Sequence, residues 1–136
     1  MTSAKFKWWN PIGTAVELIE AWTPVGCATE KDYERSLYQH LHAELGGVQV
    51  TRQFASGRIR ADIVVGSRVL IELKHNLDTT AKHQRLVGQL EDHREWKGDI
   101  VVVLLGETDQ YFRKKLDAYA GKRSEFLGPE MRVLQK

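Results

Sequence analysis

Three charged residues stand where an apolar pattern predicts two buried strands. Residues 60–74 (RADIVVGSRVLIELK) are mostly β-branched and aliphatic, and Gly66-Ser67 divides them as a turn would. Asp62 lies in the first half, and Glu72 and Lys74 end the second on one side of the strand, because alternate residues share a side. An unpaired buried charge is costly, so these groups indicate a site for a divalent cation beside an amine. Oxygen ligands of this kind suit Mg²⁺ or Mn²⁺.

The same charges have a simpler interpretation, since Glu-x-Lys is common on solvated strand faces. The apolar residues on both sides of the run argue against that alternative. The turn decides whether a site can form. A two-residue loop would pair Asp62 with Ile71 and turn Glu72 to the opposite face, whereas a three-residue loop, Gly66-Ser67-Arg68, pairs Val65 with Val69 and Asp62 with Glu72. We therefore predict a loop of odd length, or a compensating bulge.

Composition places the chain among ordinary globular proteins. Its 136 residues suit one core, with 42% hydrophobic and 28% charged residues. The formal net charge of +2 and a pI of about 8.7 are compatible with a polyanionic partner. The single cysteine, Cys27, excludes an internal disulfide, and the first residues have no apolar core of a signal peptide. The single cysteine also fits a reducing cytosol, so we expect a cytoplasmic location. No apolar run reaches membrane-spanning length, so we expect no membrane partner.

The periodicity along the chain predicts an α/β fold with a mixed β-sheet flanked by helices, in the order αβββαβ after an N-terminal helix. Residues 1–28 are expected to form a helical extension that packs on the core, and residues 29–136 the main domain. The predicted segments are a helix from Asn10-Pro11 to Thr23, a helix from Thr29 to Gly46, a strand from Val48 to Phe54, the central hairpin, a helix from Thr79 or Thr80 to about Lys97, a strand from Asp99 to Leu105, a helix from Thr108 to Gly121, and a short strand from Met131 to Leu134.

Two features of the first helices allow more than one interpretation. Trp8, Trp9 and Trp22 are expected to pack over the main domain, and a dimer contact or partner surface is the alternative. Glu34 lies one turn before Leu37 on the apolar stripe of the second helix. A carboxylate there is either a boundary residue or a functional group.

Taken together, these segments resemble the PD-(D/E)xK nuclease superfamily, whose fold is the restriction-endonuclease-like fold. Asp62 followed by Glu72-Leu73-Lys74 is similar to its core signature, Glu34 with the leucines after it is similar to its first-helix motif, and Gln89 is similar to the glutamine on the following helix. The resemblance spans residues 29–105, and the segment order is most similar to small Holliday-junction resolvases and Mrr-like nucleases. Two positions depart from the pattern: Ala61 replaces a proline, and His93 replaces a tyrosine.

The resemblance implies a metal-dependent DNA endonuclease that is shape-selective or weakly sequence-selective. Asp62, Glu72 and the Leu73 carbonyl would hold Mg²⁺ or Mn²⁺, and Glu34 would complete the metal's ligands directly or through water. Lys74 would orient or deprotonate the attacking water or stabilise the transition state, and Gln89 would position water or phosphate.

DNA is the expected partner, and cutting two strands with one site per chain favours a homodimer. The candidate phosphate-binding residues are Arg58, Arg60, Lys82 and Arg85. For each of them taken alone, the alternative is an ordinary solvated surface charge. The histidines show no zinc spacing. The alternative function is a catalytically silent DNA-binding or protein-interaction subunit of a larger complex.

Overall fold

The computed structural model describes residues 6–127 and 129–136, without the side chains of residues 126 and 127. The helices and strands are α1 (Pro11–Ala21), α2 (Glu30–Glu44), β1 (Val50–Ser56), β2 (Ile59–Val65), β3 (Val69–Leu77), α3 (Thr80–Asp92), a 3₁₀ turn (His93–Glu95), β4 (Asp99–Thr108), α4 (Gln110–Leu127) and β5 (Met131–Gln135).

The strands form one mixed sheet in chain order, β1-β2-β3-β4-β5. β1, β2 and β3 are antiparallel neighbours, while β4 pairs in parallel with both β3 and β5. Parallel pairing requires the chain to cross back over the sheet, which α3 and α4 do before β4 and β5 respectively. The predicted α/β class, with a mixed sheet flanked by helices, is confirmed.

Helices cover both faces of this sheet. On one face, α1 and α2 pack against Ile63, Ile71 and Val101. On the other, α3 and α4 pack against Val64, Leu70 and Ile100. The uninterrupted apolar run of β4 is explained by this arrangement, because side chains on both of its faces are buried.

Several predicted helix starts are confirmed by their hydrogen bonds. Asn10 caps α1 by accepting the Gly13 amide at 3.1 Å. Thr29 and Asp32 form a reciprocal capping box that begins α2. Leu37 on α2 is fully buried. Glu34, one turn earlier, lies on the same inward side of the helix and is also buried.

Other bounds differ from the prediction. α4 begins after Asp109, whose carboxylate accepts the Tyr111 amide at 2.8 Å, so the predicted cap at Thr108 is wrong. The same helix continues through Gly121, because a glycine costs only about 1 kcal/mol inside a helix that packing supports. α3 ends at Asp92, before the predicted Lys97.

The N-terminal segment divides its tryptophans between the core and the surface. Trp22 is buried with Ile19 in the core beneath α1 and α2. Trp9 is 83% exposed, and Trp8 is about half exposed beside Arg68. The domain boundary near residue 28 stays a prediction. In the part of the chain that the structure describes, no helix has the length and apolarity to cross a membrane.

The central hairpin has the predicted register. Val65 pairs with Val69, so the loop is Gly66-Ser67-Arg68. Gly66 and Ser67 are left-handed, with φ of 58° and 55°, and the Arg68 amide donates to the Val65 carbonyl at 2.9 Å. Arg68 is therefore the extra residue, and its own carbonyl accepts the Asp99 amide at the start of β4. The expected odd-length loop is confirmed.

Candidate functional site

The site lies where β2 and β3 separate. Their pairing ends at Ile63 and Ile71, so Asp62 and Glu72 are the next opposed residues. Instead of continuing the backbone ladder, the Asp62 amide donates to Glu72 Oε1 at 3.0 Å, and the Leu73 amide donates to Asp62 Oδ2 at 2.8 Å. Each carboxylate thus accepts a backbone N–H group of the opposite strand across the same gap. The register brings both carboxylates to one gap as expected, but the predicted strand pairing of Asp62 with Glu72 is replaced by these side-chain bonds.

Removal from water raises the pKa of both carboxyl groups. Removal from water, followed by the charge of Asp62, raises the pKa of Glu72 to about 8. Removal from water also raises the pKa of Asp62 to about 6, against the lowering effect of the Leu73 amide. Without a divalent cation, the pair therefore keeps a proton to higher pH than two solvated carboxyl groups would.

Lys74 supplies positive charge to this gap. It projects from β3 on the same side as Glu72, and it is only 7% exposed. Its ammonium lowers the pKa of both Asp62 and Glu72, although less than burial raises them. The three residues that the sequence singled out are close enough to interact electrostatically.

A cavity of about 180 Å³ opens onto the carboxylates. Gln89 reaches it from α3, which crosses the sheet after β3, so this residue lines the same cavity as Asp62 and Glu72. The cavity is lined by Gln53, Phe54, Arg60, Ala61, Asp62, Glu72 and Gln89.

Glu34 approaches the gap from α2 but is held by other partners. Its side chain is buried, Oε2 accepts from Arg52 at 3.1 Å, and Oε1 accepts from Gln53 at 2.6 Å. The negative charge of Glu34 raises the pKa of Asp62, so the two groups are near each other. Among the described residues, however, no three His, Cys, Asp or Glu side chains are grouped as metal ligands. The structure thus gathers Asp62 and Glu72 and leaves Glu34 paired with β1.

Sequence reasoning missed three residues around the gap. Arg52 and Gln53 were treated as ordinary strand residues, and nothing in the strand pattern indicates that Gln53 is left-handed, with φ of 50°, opposite Asp62. Glu30 also raises the pKa of Asp62, and its position one helical turn before Glu34 could have indicated it.

The predicted phosphate-binding residues are in different situations. Arg60 lines the cavity, while its guanidinium donates to the backbone oxygens of Gly57 and Ile59. Lys82 pairs with Asp78 and donates to the Asn76 carbonyl near the end of β3. Arg58 at the β1–β2 turn is exposed, as is Arg85, one turn before Gln89. Their predicted contacts with DNA stay predictions.

Fold and site together define an α/β protein with a buried glutamate, a partly buried aspartate and a buried lysine at a break in a mixed sheet. Comparison of the chain with protein-family models, with curated proteins and with solved structures found no match.

Proposed function

We propose that this protein is a metal-dependent DNA endonuclease with a restriction-endonuclease-like core. The observation that carries the proposal is the register of the central hairpin. It opposes Asp62 and Glu72 across a gap in the sheet, with Lys74 two residues beyond Glu72. A register shifted by one residue would have separated the carboxylates and left no site.

The donor set fits Mg²⁺ or Mn²⁺. Hard divalent cations prefer carboxylate and carbonyl oxygens, and a cation would offset the cost of bringing two negative charges together away from water. Asp62, Glu72 and the Leu73 carbonyl would hold it. Glu34 would act from outside, since its oxygens already accept hydrogen bonds from Arg52 and Gln53. When bound, the metal would supply Lewis acidity and lower the pKa of a bound water.

The chain's own residues account for the rest of the hydrolysis. Lys74 would hold the attacking water or the charge that develops on the phosphate, because it is buried and its ammonium interacts electrostatically with both carboxylates. Gln89 would donate to water or to a phosphate oxygen from the cavity wall. As the water oxygen bonds to phosphorus, the bond to the leaving deoxyribose oxygen breaks, and that oxygen receives a proton.

A cleavage assay tests the proposal. Supercoiled plasmid, linear duplex, single strand and a four-way junction are incubated with Mg²⁺, Mn²⁺ or EDTA. We expect metal-dependent cleavage by the wild type, none by Lys74→Ala, and unchanged cleavage by Lys114→Ala, which removes an exposed lysine from α4. DNA binding by Lys74→Ala, measured by fluorescence anisotropy, should remain close to that of the wild type.

The outcomes separate this function from its alternative. Cleavage by Lys74→Ala at the wild-type rate would contradict the assigned role of the lysine. Binding of DNA without cleavage of any substrate would instead support the catalytically silent subunit. Neither binding nor cleavage would reject the proposal for DNA as a whole.

A further inference from the structure

The inner edge of β2 lacks a strand partner beside the site. In an antiparallel strand, the N–H and C=O groups of alternate residues point the same way. Because the Asp62 amide faces the gap left by β3, the backbone groups of Arg60 face it too. A buried backbone oxygen without a partner is costly, so something must replace β3 at Arg60.

His93 takes that place. Its Nε2 lies 2.8 Å from the Arg60 carbonyl oxygen, which can only accept, so Nε2 carries the hydrogen. The ring is 1% exposed, and burial lowers its pKa, which favours the neutral form. Within the described structure Nδ1 has no hydrogen-bond partner. The bond to Arg60 is thus the polar contact that orients this imidazole.

The location of His93 connects two walls of the cavity. It begins the 3₁₀ turn that follows α3, four residues after Gln89. Arg60 lies two residues before Asp62 on β2. The hydrogen bond between His93 and Arg60 therefore joins the turn that follows the helix of Gln89 to the strand that presents Asp62.

We propose that His93 is a positioning residue, which holds Asp62 in register across the gap through the Arg60 carbonyl. This inference rests on the proposed function for its catalytic meaning, but the contact itself can be tested without metal or DNA. Without the His93–Arg60 hydrogen bond, β2 is less firmly held at Arg60. The bonds from the Asp62 amide to Glu72 and from the Leu73 amide to Asp62 should then break more often.

The chain offers a matched control. His40 Nε2 lies 2.9 Å from the Leu18 carbonyl oxygen, so it makes the same type of bond between α2 and α1. His93→Phe and His40→Phe each remove one histidine–carbonyl bond and keep an aromatic ring. His93→Gln retains an N–H near the position of Nε2, whereas His93→Asn is too short to reach.

Amide hydrogen exchange of the metal-free protein is the first measurement. In His93→Phe we expect exchange at the Asp62 and Leu73 amides to accelerate on the order of tenfold, beyond any change at Val103 in β4. His40→Phe and His93→Gln should leave these two amides close to wild type. Calorimetric titration with Mn²⁺ is the second measurement, and we expect about 10-fold weaker binding in His93→Phe alone.

Each result decides the point. Unchanged Asp62 and Leu73 amides in folded His93→Phe, or a uniform increase at all amides, would overturn the positioning role. If His93→Phe does not fold, faster exchange at these amides in His93→Asn than in His93→Gln supports the role, and equal exchange overturns it. If the wild type neither binds Mn²⁺ nor cleaves DNA, the proposed function fails, while the exchange data still decide whether His93 holds Asp62.

Discussion

The surroundings of Asp62 and Glu72 give the two carboxyl groups different pKa values, although both lie at the same gap. Glu72 is almost fully buried and Asp62 only partly, so burial acts more strongly on Glu72. A cation that binds between them must displace the proton that the pair retains. Binding is therefore coupled to proton release, and affinity for the cation should rise with pH.

The first prediction concerns stability in the absence of divalent cations. The pKa of Glu72 is about 8 in the folded protein, above that of an ordinary glutamate in the unfolded chain, so the folded state binds more protons at neutral pH. Stability must then fall as the pH rises through the folded pKa. We expect the free energy of unfolding to be on the order of 1 kcal/mol lower at pH 9 than at pH 7, measured with urea in EDTA.

Glu72→Gln provides the comparison for that measurement, since it removes the titrating group and keeps the size. Its stability should change less between the two pH values. Glu107→Gln, at an exposed position in β4, should behave like the wild type. Equal pH dependence in Glu72→Gln and the wild type would contradict the raised pKa.

The second prediction concerns metal binding by Asp62. Asp62→Asn keeps an oxygen that can accept the Leu73 amide, so the hairpin should fold, but the variant lacks the negative charge that a cation needs. We expect calorimetry to detect no Mn²⁺ binding by Asp62→Asn and wild-type binding by Asp117→Asn, an exposed carboxylate on α4. Undiminished binding by Asp62→Asn would place the cation elsewhere.

The sequence allowed two registers, and the three-residue loop was predicted because only that register brings Asp62 and Glu72 to one side of the sheet. The sequence was insufficient for Glu34. Whether that carboxylate faces a cation or Arg52 depends on the left-handed backbone of Gln53 and on how α2 packs over β1. Such contacts between distant segments leave no local pattern.

Among the structural elements, the hairpin loop depends on a glycine far from it in sequence. The Arg68 carbonyl bonds the Asp99 amide, and Gly98 lies against the same oxygen. A Cβ at Gly98 would overlap the Arg68 oxygen. The bulge that sets the register of β3 is thus stabilised by the start of β4.

The third prediction follows from this close approach. Gly98→Ala forces the backbone of Arg68 or Gly98 to move, and we expect a loss of about 2 kcal/mol in the free energy of unfolding by urea. Gly121→Ala in α4 is the control, because its Cβ would meet nothing within 4 Å, and alanine favours a helix. Equal stability of the two variants would show that the bulge tolerates displacement.

Element bounds were predicted less well than element order. Thr108 and Asp109 are both good caps, and the sequence alone does not decide between adjacent candidates. The choice falls to Asp109 because β4 remains paired up to Thr108, which is opposite Leu77. Strand pairing, a tertiary effect, thus set where the helix begins.

At the scale of the whole molecule, the sheet combines a local meander with a parallel half. The sequence predicted this combination because three strands follow one another with short turns, while later strands are separated by helices. β1 and β5 are its two edges. The described chain carries one copy of the candidate site, at the break between β2 and β3.

The fourth prediction is therefore about association. A nuclease with one site per chain cuts both strands of a duplex most directly as a pair of chains. We expect sedimentation velocity at cleaving concentrations to give twice the 15.6 kDa mass of one chain. Concerted cutting of both strands by a strict monomer would contradict the expectation.

The order of the strands also has a consequence for folding kinetics. The Asp62 amide and the Glu72 carboxylate that it binds are ten residues apart, whereas His93 and Arg60 are 33 apart. Contacts of short sequence separation close at lower entropic cost, so the hairpin should assemble before α3 crosses it. Mn²⁺ should then accelerate refolding in stopped-flow fluorescence, because its two carboxylate ligands are already opposed in the transition state for folding. If Mn²⁺ only slows unfolding, the hairpin instead forms after the rate-limiting step of folding.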